Sequence, residues 1–170
     1  MNQTIKDIIN RRSVRKFTDK KVTDEQIDKL LNAAMAAPSA CNKRPWHFYV
    51  VKNEEVLSQL KKASRFSNKN SSLIIVACGD TKRALPMQLN DYWIQDVSAA
   101  VENILLTATG LGLGTCWCGL HPMVRTVNKV RAILGAPEHH IPMALIHVGY
   151  PDEFPEARTQ FEEKRVKIID

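Results

Sequence analysis

The residues whose types and spacing most clearly suggest a binding site form one short basic stretch near the start of the 170-residue chain. Four cations there surround one hydroxyl: Arg11, Arg12, Ser13, Arg15 and Lys16. Guanidinium groups present a planar fork of donors that matches phosphate oxygens, and a hydroxyl can donate to one of those oxygens. The stretch therefore predicts a site for an anion, a phosphate monoester above all. A solvated basic helix end is the alternative that these residues alone leave open.

Positive charge is concentrated at this end of the chain. Residues 1–21 hold seven Lys or Arg residues and two Asp residues, so they carry +5 of the total formal charge of +6. A general nucleic-acid binder usually spreads its cations over a face with exposed aromatic residues, and Phe17 is the one aromatic residue of this segment. The pattern favours an anionic cofactor or substrate and no nucleic-acid partner. A non-enzymatic binder of RNA or another polyanion stays open as an alternative.

Length and composition predict an ordinary globular protein. The chain is 44% hydrophobic and 25% charged, and 170 residues suit a single domain over 1–170. Its longest apolar run, residues 73–78, is too short to cross a bilayer, and the N-terminus lacks the apolar core of a signal peptide. We therefore expect a cytoplasmic protein with no membrane partner.

The cysteines predict free thiols. Cys41, Cys78, Cys116 and Cys118 include no Cys-x-x-Cys pair of the kind that begins a zinc site. Cys116 and Cys118 are two residues apart, and extended residues at that spacing do not meet disulfide geometry. We therefore expect neither a disulfide nor a thiolate metal site.

The histidines predict no metal site either. His139 and His140 are adjacent and close to Pro137, so we expect solvated loop residues. No carboxylate or cysteine stands near them at ligand spacing. His47 and His147 fall inside apolar runs, and we expect them to be hydrogen-bonded sheet residues.

Helices and strands that could position the basic stretch follow from hydrophobic periodicity. The pattern predicts helices over 3–10, 24–36, 54–63, 92–111 and 122–134, and strands over 46–52, 73–79 and 142–149. Thr23 and Gln26 form a capping box at the start of the second helix. The helix over 92–111 is apolar on more than one side, so it is buried in its own domain or against a second subunit.

Two glycine- or proline-rich segments could bring backbone close to a ligand. The glycines at 110, 112 and 114 follow a helix, whereas a dinucleotide fingerprint follows a strand, so we expect Gly112 or Gly114 to be a left-handed cap. Residues 116–119 would then be extended. The loop between Pro38 and Pro45 suits a flat ligand, although a plain connection fits its composition equally well.

Several motifs occur in one order along nearly the whole chain and together resemble the flavin-dependent nitroreductase family in its short form. They are Arg11-Arg12-Ser13-x-Arg15-x-Phe17, Ala37-Pro38-Ser39-x-x-Asn42-x-x-Pro45-Trp46-His47-Phe48, Gln95-Asp96, Gly112-x-Gly114-x-x-Trp117-x-Gly119 and Val148-Gly149-Tyr150-Pro151. The resemblance implies an α+β fold with a mostly antiparallel central sheet flanked by helices. It also implies a homodimer that binds FMN at its interface, with a C-terminal tail extending onto the partner.

The resemblance assigns cofactor-binding roles residue by residue. Arg11, Arg12 and Ser13 correspond to ligands of the phosphate and ribityl groups, and Arg15 to the cation that faces N1 and O2 of the flavin. Contacts from the other subunit would come from Pro38, Ser39, Ala40 and Asn42. Residues along the flavin ring, with a backbone amide near N5, would be Trp117, Cys118 and Gly119. Arg158 corresponds to a C-terminal cation at the phosphate.

The chain departs from the family pattern in four places. Ala40 replaces a frequent Ser, Arg44 replaces a frequent Gln, and Gln160 stands where a second basic residue is frequent. Cys118 replaces an apolar residue or Glu, so its role is open. Residues 64–72 do not align with the family's further flavin contacts and carry no assignment.

The activity that the resemblance implies is that of an FMN-dependent oxidoreductase. It takes a hydride from NAD(P)H and passes two electrons to a flat acceptor, such as a nitroaromatic compound or a quinone, in a ping-pong sequence. No side chain is an evident acid or base, so we assign no catalytic residue. A dehalogenase or a flavin-storage protein on the same fold is the alternative.

Overall fold

The computed structural model describes residues 1–157 and 159–169, apart from the side chain of Gln88. This part of the chain contains five α-helices and four β-strands. In chain order they are α1 (Gln3–Asn10), α2 (Asp24–Met35), β1 (Trp46–Val51), α3 (Glu54–Lys61), β2 (Leu73–Asp80), α4 (Tyr92–Gly110), β3 (Gly114–Gly119), α5 (Val124–Leu134) and β4 (His140–Gly149). All the predicted helices and strands are therefore present, with boundaries shifted by a few residues.

The four strands form one antiparallel sheet in the order β1-β2-β4-β3. The two central strands are nearly continuous apolar runs, and every residue of β2 is buried. Such runs are typical of strands with both faces covered. The α+β class and the antiparallel sheet predicted from the sequence are confirmed.

Helices cover both faces of the sheet. On one face α2 and α4 pack against alternate residues of the central strands, including Ile75, Ala77 and Ile146. On the other face α3 and α5 pack against the intervening residues, including Ile74 and Val76. The buried residues of α4 recur at helical spacing from Trp93 to Ala108 and form one broad face, which is buried within its own chain.

Local sequence signals explain where the helices begin and end. Thr23 Oγ1 accepts a hydrogen bond from the Gln26 amide (3.2 Å), and Gln26 Oε1 accepts one from the Thr23 amide (3.0 Å), so the predicted capping box starts α2. After α4, Gly112 adopts φ = +70°, a left-handed conformation that favours glycine. Gly112 is thus the predicted cap, whereas Gly114 is the first residue of β3.

The basic segment after α1 lies along the outer edge of β3. Ser13 forms a parallel bridge with Thr115, and the Val14 amide donates to the Thr115 carbonyl (2.8 Å). Phe17 is 2% exposed and packs on Gly149. This contact extends the sheet and places the predicted anion-binding residues beside β3.

The expectation for His140 is wrong. His140 is the first residue of β4 and is buried, because β4 begins two residues earlier than predicted and pairs His140 with Asp80 at the end of β2. His139 lies half-buried in the preceding turn. His147 is confirmed as a hydrogen-bonded sheet residue, since its Nδ1 lies 2.7 Å from the Ser71 hydroxyl.

Within the described residues, no helix combines the length and the apolar character needed to cross a membrane.

Burial of His147 predicts a pH-dependent stability. Burial lowers the pKa of His147 from 6.5 to about 3, so the unfolded chain binds a proton on this residue that the folded chain does not bind. The free energy of unfolding should therefore fall as pH drops from about 6.5 to about 3, by as much as ~5 kcal/mol from this group. In urea unfolding, His147→Phe should flatten this part of the pH profile. His121→Gln is the control, and an equal slope in wild type and His147→Phe would contradict the assignment.

Close packing at Gly114 predicts a second stability effect. A Cβ at Gly114 would lie 2.8 Å from Val14 Cβ, too close for the basic segment to keep its place beside β3. Gly114→Ala should lower the free energy of unfolding by about 1–3 kcal/mol, the usual effect of overpacking. Gly119→Ala is the matched control in the same strand, because a Cβ there meets no atom within 4 Å. Equal urea midpoints for the two variants would contradict the packing argument.

Candidate active site

A cleft of about 250 Å³ opens beside β3 and contains several of the predicted site residues. Its walls are formed by Arg15, Phe66, Lys69, Cys116, Trp117, Cys118 and Gly119. Four of these, Arg15, Trp117, Cys118 and Gly119, were predicted from the sequence to contact the same ligand. The structure thus brings together residues about one hundred positions apart in the chain.

The backbone of β3 directs amide groups toward this cleft. In a strand, the N–H and C=O groups of one residue point to the same edge of the strand. The groups of the residues two positions before and after it point to that edge as well. Since the Thr115 carbonyl accepts from Val14, the amides of Trp117 and Gly119 also point away from β4. A flat ligand in the cleft would therefore meet backbone donors as well as side chains.

Arg15 is held at the cleft by its neighbours in the chain. Its backbone amide donates to Glu153 Oε1 (2.6 Å), and its guanidinium Nη1 donates to the Ser13 carbonyl (3.3 Å). The side chain remains exposed. A guanidinium has five N–H donors, so Arg15 can also donate to a ligand.

The predicted phosphate ligands lie immediately before Arg15 on the same segment. Arg11 Nε lies 3.6 Å from Glu102 Oε1, and both side chains are partly exposed. Arg12 donates from Nε to the Glu156 carbonyl (2.9 Å) and from Nη1 to the Arg11 carbonyl (2.6 Å). These contacts fix the direction of both guanidinium groups at the N-terminal end of the basic segment.

Phe66 and Lys69 were missed by the sequence reasoning. Both come from residues 64–72, which carried no assignment, and the Cys118 thiol lies 3.2 Å from the Phe66 carbonyl, to which it donates. Asn70 fastens the same segment to Phe17, since its Oδ1 accepts from the Phe17 amide (2.9 Å) and its Nδ2 donates to the Phe17 carbonyl (2.6 Å). The one feature of the sequence that could have pointed to this segment as part of the site was a cation in a stretch of small polar residues.

Two thiols form the buried wall of the cleft. Interaction with the neighbouring Cys118 thiol lowers the pKa of the Cys116 thiol, and the charges of Arg15 and Lys69 lower it further against the effect of burial. The same interaction raises the pKa of Cys118, which keeps its proton. Cys118, whose role the sequence left open, therefore links β3 to the Phe66 segment and acts as a donor within the wall.

The loop predicted to contact the ligand from a second subunit lines a different groove. This groove of about 320 Å³ lies between the loop and the start of α4 and is formed by Pro38, Ser39, Ala40, Tyr92, Gln95, Asp96 and Ala99. It shares no lining residue with the cleft beside β3. One chain therefore does not bring Pro38, Ser39, Ala40 and Asn42 to Arg15.

The loop is held in an unusual backbone conformation. Cys41, Asn42 and Arg44 have φ near +50°, which residues with side chains rarely adopt. The Ala40 amide donates to the buried Asp96 carboxylate (2.9 Å), and the Arg44 amide donates to Ser39 Oγ (2.9 Å). Left-handed residues of this kind cluster at ligand sites, and the structure around them must compensate for their strain.

The donors at the cleft fit the polar edge of a flat ring such as that of FMN. Arg15, Lys69 and the outward amides of β3 lie there. Arg11, Arg12 and Ser13 precede Arg15 on the same segment but do not line the cleft, and Arg12 lines a separate pocket with Val14 and Phe154. Arg158, the last predicted phosphate ligand, lies outside the described residues.

Comparisons with known proteins place these features in a family. The sequence model of the Nitroreductase family matches residues 8–72 and 68–150. A protein of Archaeoglobus fulgidus with the provisional name NADH dehydrogenase/NAD(P)H nitroreductase is 42% identical, covering 98% of this chain and 97% of its own.

Solved structures share the fold. An FMN-dependent nitroreductase from Clostridium difficile superposes with a TM-score of 0.88 at 33% identity, covering 98% of this chain and 99% of its own. A nitroreductase-like structure in complex with FMN from Desulfovibrio desulfuricans superposes with a TM-score of 0.85 at 26% identity, covering 100% and 98%. The sequence motifs, the sheet topology and these matches agree, and the chain belongs to the nitroreductase family.

Proposed function

We propose that this protein is an FMN-dependent oxidoreductase that takes reducing equivalents from NAD(P)H and passes them to a flat electrophilic acceptor. The names of its relatives confirm the expected enzyme class and cofactor. The observation that carries the proposal is the cleft beside β3, where Arg15 and the outward amides of Trp117 and Gly119 meet. A general basic face would not require this convergence.

The residues of the chain bind and orient the cofactor in this proposal. Arg11, Arg12 and Ser13 hold the phosphate end, and Arg15 with the β3 amides holds the polar edge of the ring. FMN, when bound, supplies a ring that accepts a hydride and releases two electrons. Arg15 and Lys69 place positive charge in a partly enclosed cleft, which favours any negative charge that develops there.

The lining of the described cleft contains no His, Asp or Glu. The Cys116 thiol, whose pKa is lowered, is buried in the wall, and Cys118 keeps its proton. Solvent can supply the proton that the acceptor needs, because the cleft is open. We assign no catalytic residue to the chain in this proposal.

The walls of the cleft suit an aromatic acceptor. Phe66 and Trp117 provide flat apolar surface, while Arg15 and Lys69 can pair with the oxygens of a nitro group or a quinone. These features support the expected alternation of two flat partners, the nicotinamide donor and the acceptor, in one cleft. A ping-pong sequence follows from that alternation.

A homodimer would complete the site. The strained loop at residues 38–44 lines a groove separate from the cleft, so a second copy is needed to bring Pro38, Ser39, Ala40 and Asn42 to the same ligand. The tail after Tyr150 exposes Phe154 (84%) and Ile169 (84%). Large apolar side chains with that exposure favour packing of the tail on a partner.

We extend the proposal to a single domain over 1–170 and, from the free cysteines of the described chain, to a cytoplasmic location.

The visible spectrum of the purified protein tests the cofactor, and turnover tests the reaction. We expect a yellow protein that is bleached anaerobically by NADH or NADPH and reoxidised by nitroaromatic compounds or quinones. Reoxidation only by a halogenated phenol would favour the dehalogenase alternative, and bleaching without turnover would favour flavin storage. A colourless protein that takes up no FMN but binds RNA with a steep salt dependence would contradict the proposal.

Arg11→Ala tests the phosphate end of the site. Loss of a charged hydrogen bond should raise the dissociation constant for FMN about 10- to 100-fold. Its partner Glu102 is exposed, so the substitution leaves no buried charge unpaired. Titration of the apoprotein with FMN, followed by flavin fluorescence, measures the constant. Lys6→Ala removes an exposed cation on α1 as the control, and equal affinities for the two variants would contradict the phosphate role.

Arg15→Ala tests the redox end of the site. Removing a cation beside the ring should disfavour the reduced, more anionic flavin and lower its two-electron midpoint potential by about 30–60 mV, if the lost interaction contributes about 1.5–3 kcal/mol. Spectroelectrochemical titration of the loaded protein measures the potential. Lys16→Ala removes an exposed cation next to Arg15 in sequence as the control. An unchanged potential in Arg15→Ala would refute the assignment.

A further inference from the structure

Asp80, His139 and His140 form a side-chain cluster at the corner of the sheet where β2 ends and β4 begins. One potential ligand atom from each residue lies within 4.8 Å of the others. The cluster shares no residue with the cleft beside β3 or the groove beside α4. We propose that these three residues bind a divalent transition-metal ion, with Zn²⁺ as the best match to their chemistry.

The separation of the atoms fits a metal better than a direct hydrogen bond. His140 Nε2 and Asp80 Oδ2 are 3.8 Å apart, which is too long for a hydrogen bond. Two ligands at about 2.0–2.2 Å from a tetrahedral Zn²⁺ lie roughly 3.4 Å from each other, so a small movement closes the gap around an ion. The other oxygen, Asp80 Oδ1, is already occupied by the Lys82 amide at 3.0 Å.

A second residue orients His140 in the way that metal-bound histidines are usually oriented. The Tyr49 hydroxyl lies 2.7 Å from His140 Nδ1, so that nitrogen is engaged and Nε2 is directed at Asp80. The ring of His47 stacks on that of His140, with centroids 4.1 Å apart. Outer contacts of this kind fix the ring and the tautomer of a metal ligand before the ion arrives.

The cluster contains a buried carboxylate without a Lys or Arg partner. Asp80 and His140 are only 9% and 7% exposed, and a buried carboxylate is unfavourable unless it is paired. In the described part of the chain, no Lys or Arg side chain lies within 4 Å of Asp80. A divalent cation bound by Asp80 and His140 would supply the missing positive charge.

The proposed ion would have a structural role. Asp80 and His140 are partners in the β2–β4 register, and the Asp80 amide donates to the Pro45 carbonyl at the end of the strained loop (2.7 Å). The ion would therefore tie together the ends of two strands and the exit of that loop. Three protein ligands leave a fourth position for water, so the site is more open than a typical structural zinc site, in which four side chains bind the ion.

Equilibrium dialysis and calorimetry with Zn²⁺ test the site in the full-length, flavin-loaded protein after removal of metals with a chelator. We expect one Zn²⁺ per chain with a micromolar or tighter dissociation constant. Both His139→Gln and Asp80→Asn should weaken binding at least tenfold. Tyr49→Phe, which removes an outer contact, should weaken it about 10- to 100-fold. Glu138→Gln is the matched control, since it removes a neighbouring carboxylate outside the cluster and should bind as wild type.

Two results would overturn the proposal. One is no saturable binding at about 100 μM Zn²⁺, and the other is a His139→Gln variant with wild-type affinity and stoichiometry. His139 is half-buried in a turn, so its substitution tests the site even if Asp80→Asn disturbs the end of β2. A crystal grown with Zn²⁺ should show anomalous scattering between His140 Nε2 and Asp80 Oδ2.

Discussion

One backbone contact positions the candidate active site, the hydrogen bond from the Val14 amide to the Thr115 carbonyl at 2.8 Å. β3 is an edge strand, and an uncovered edge presents unpaired donors and acceptors that invite association. The N-terminal segment covers the first half of that edge and leaves the second half, at Trp117 and Gly119, facing the cleft. The same contact that protects the strand therefore determines which of its amides remain available to a ligand.

The elements of the fold could be predicted because each depends on nearby residues. The capping box of α2, the left-handed Gly112 and the apolar run of β2 act over a few positions and are visible in the sequence. The site depends in part on contacts between distant residues, and these could not be predicted. Phe66 is held at the cleft by a hydrogen bond from the Cys118 thiol to its carbonyl, and His140 is buried because β4 pairs with the end of β2.

The backbone conformation of the strained loop at residues 38–44 likewise depends on both nearby and distant residues. Its prolines and small residues identified a segment that could approach a ligand. Asn42 is of a residue type that tolerates positive φ, but nothing local indicated positive φ at Cys41 and Arg44. Each residue in such a conformation costs about 1–3 kcal/mol of stability. The hydrogen bond from the Ala40 amide to the Asp96 carboxylate on α4 is one of the contacts that compensate for this cost. A loop fixed in this way meets a ligand with little further loss of conformational entropy.

The structure explains part of the concentration of positive charge in the first 21 residues. Arg11 and Glu102 are both partly exposed, and a surface ion pair of this kind contributes about 1 kcal/mol or less to stability. The pair therefore sets the direction of the guanidinium more than it stabilises the fold. Arg15 lines the cleft beside β3 together with Lys69 from a distant segment, whereas Arg12 lines a separate pocket. The convergence of Arg15 and Lys69 on a concave site favours a small anionic ligand, because a polyanion such as RNA would require cations spread over an open face.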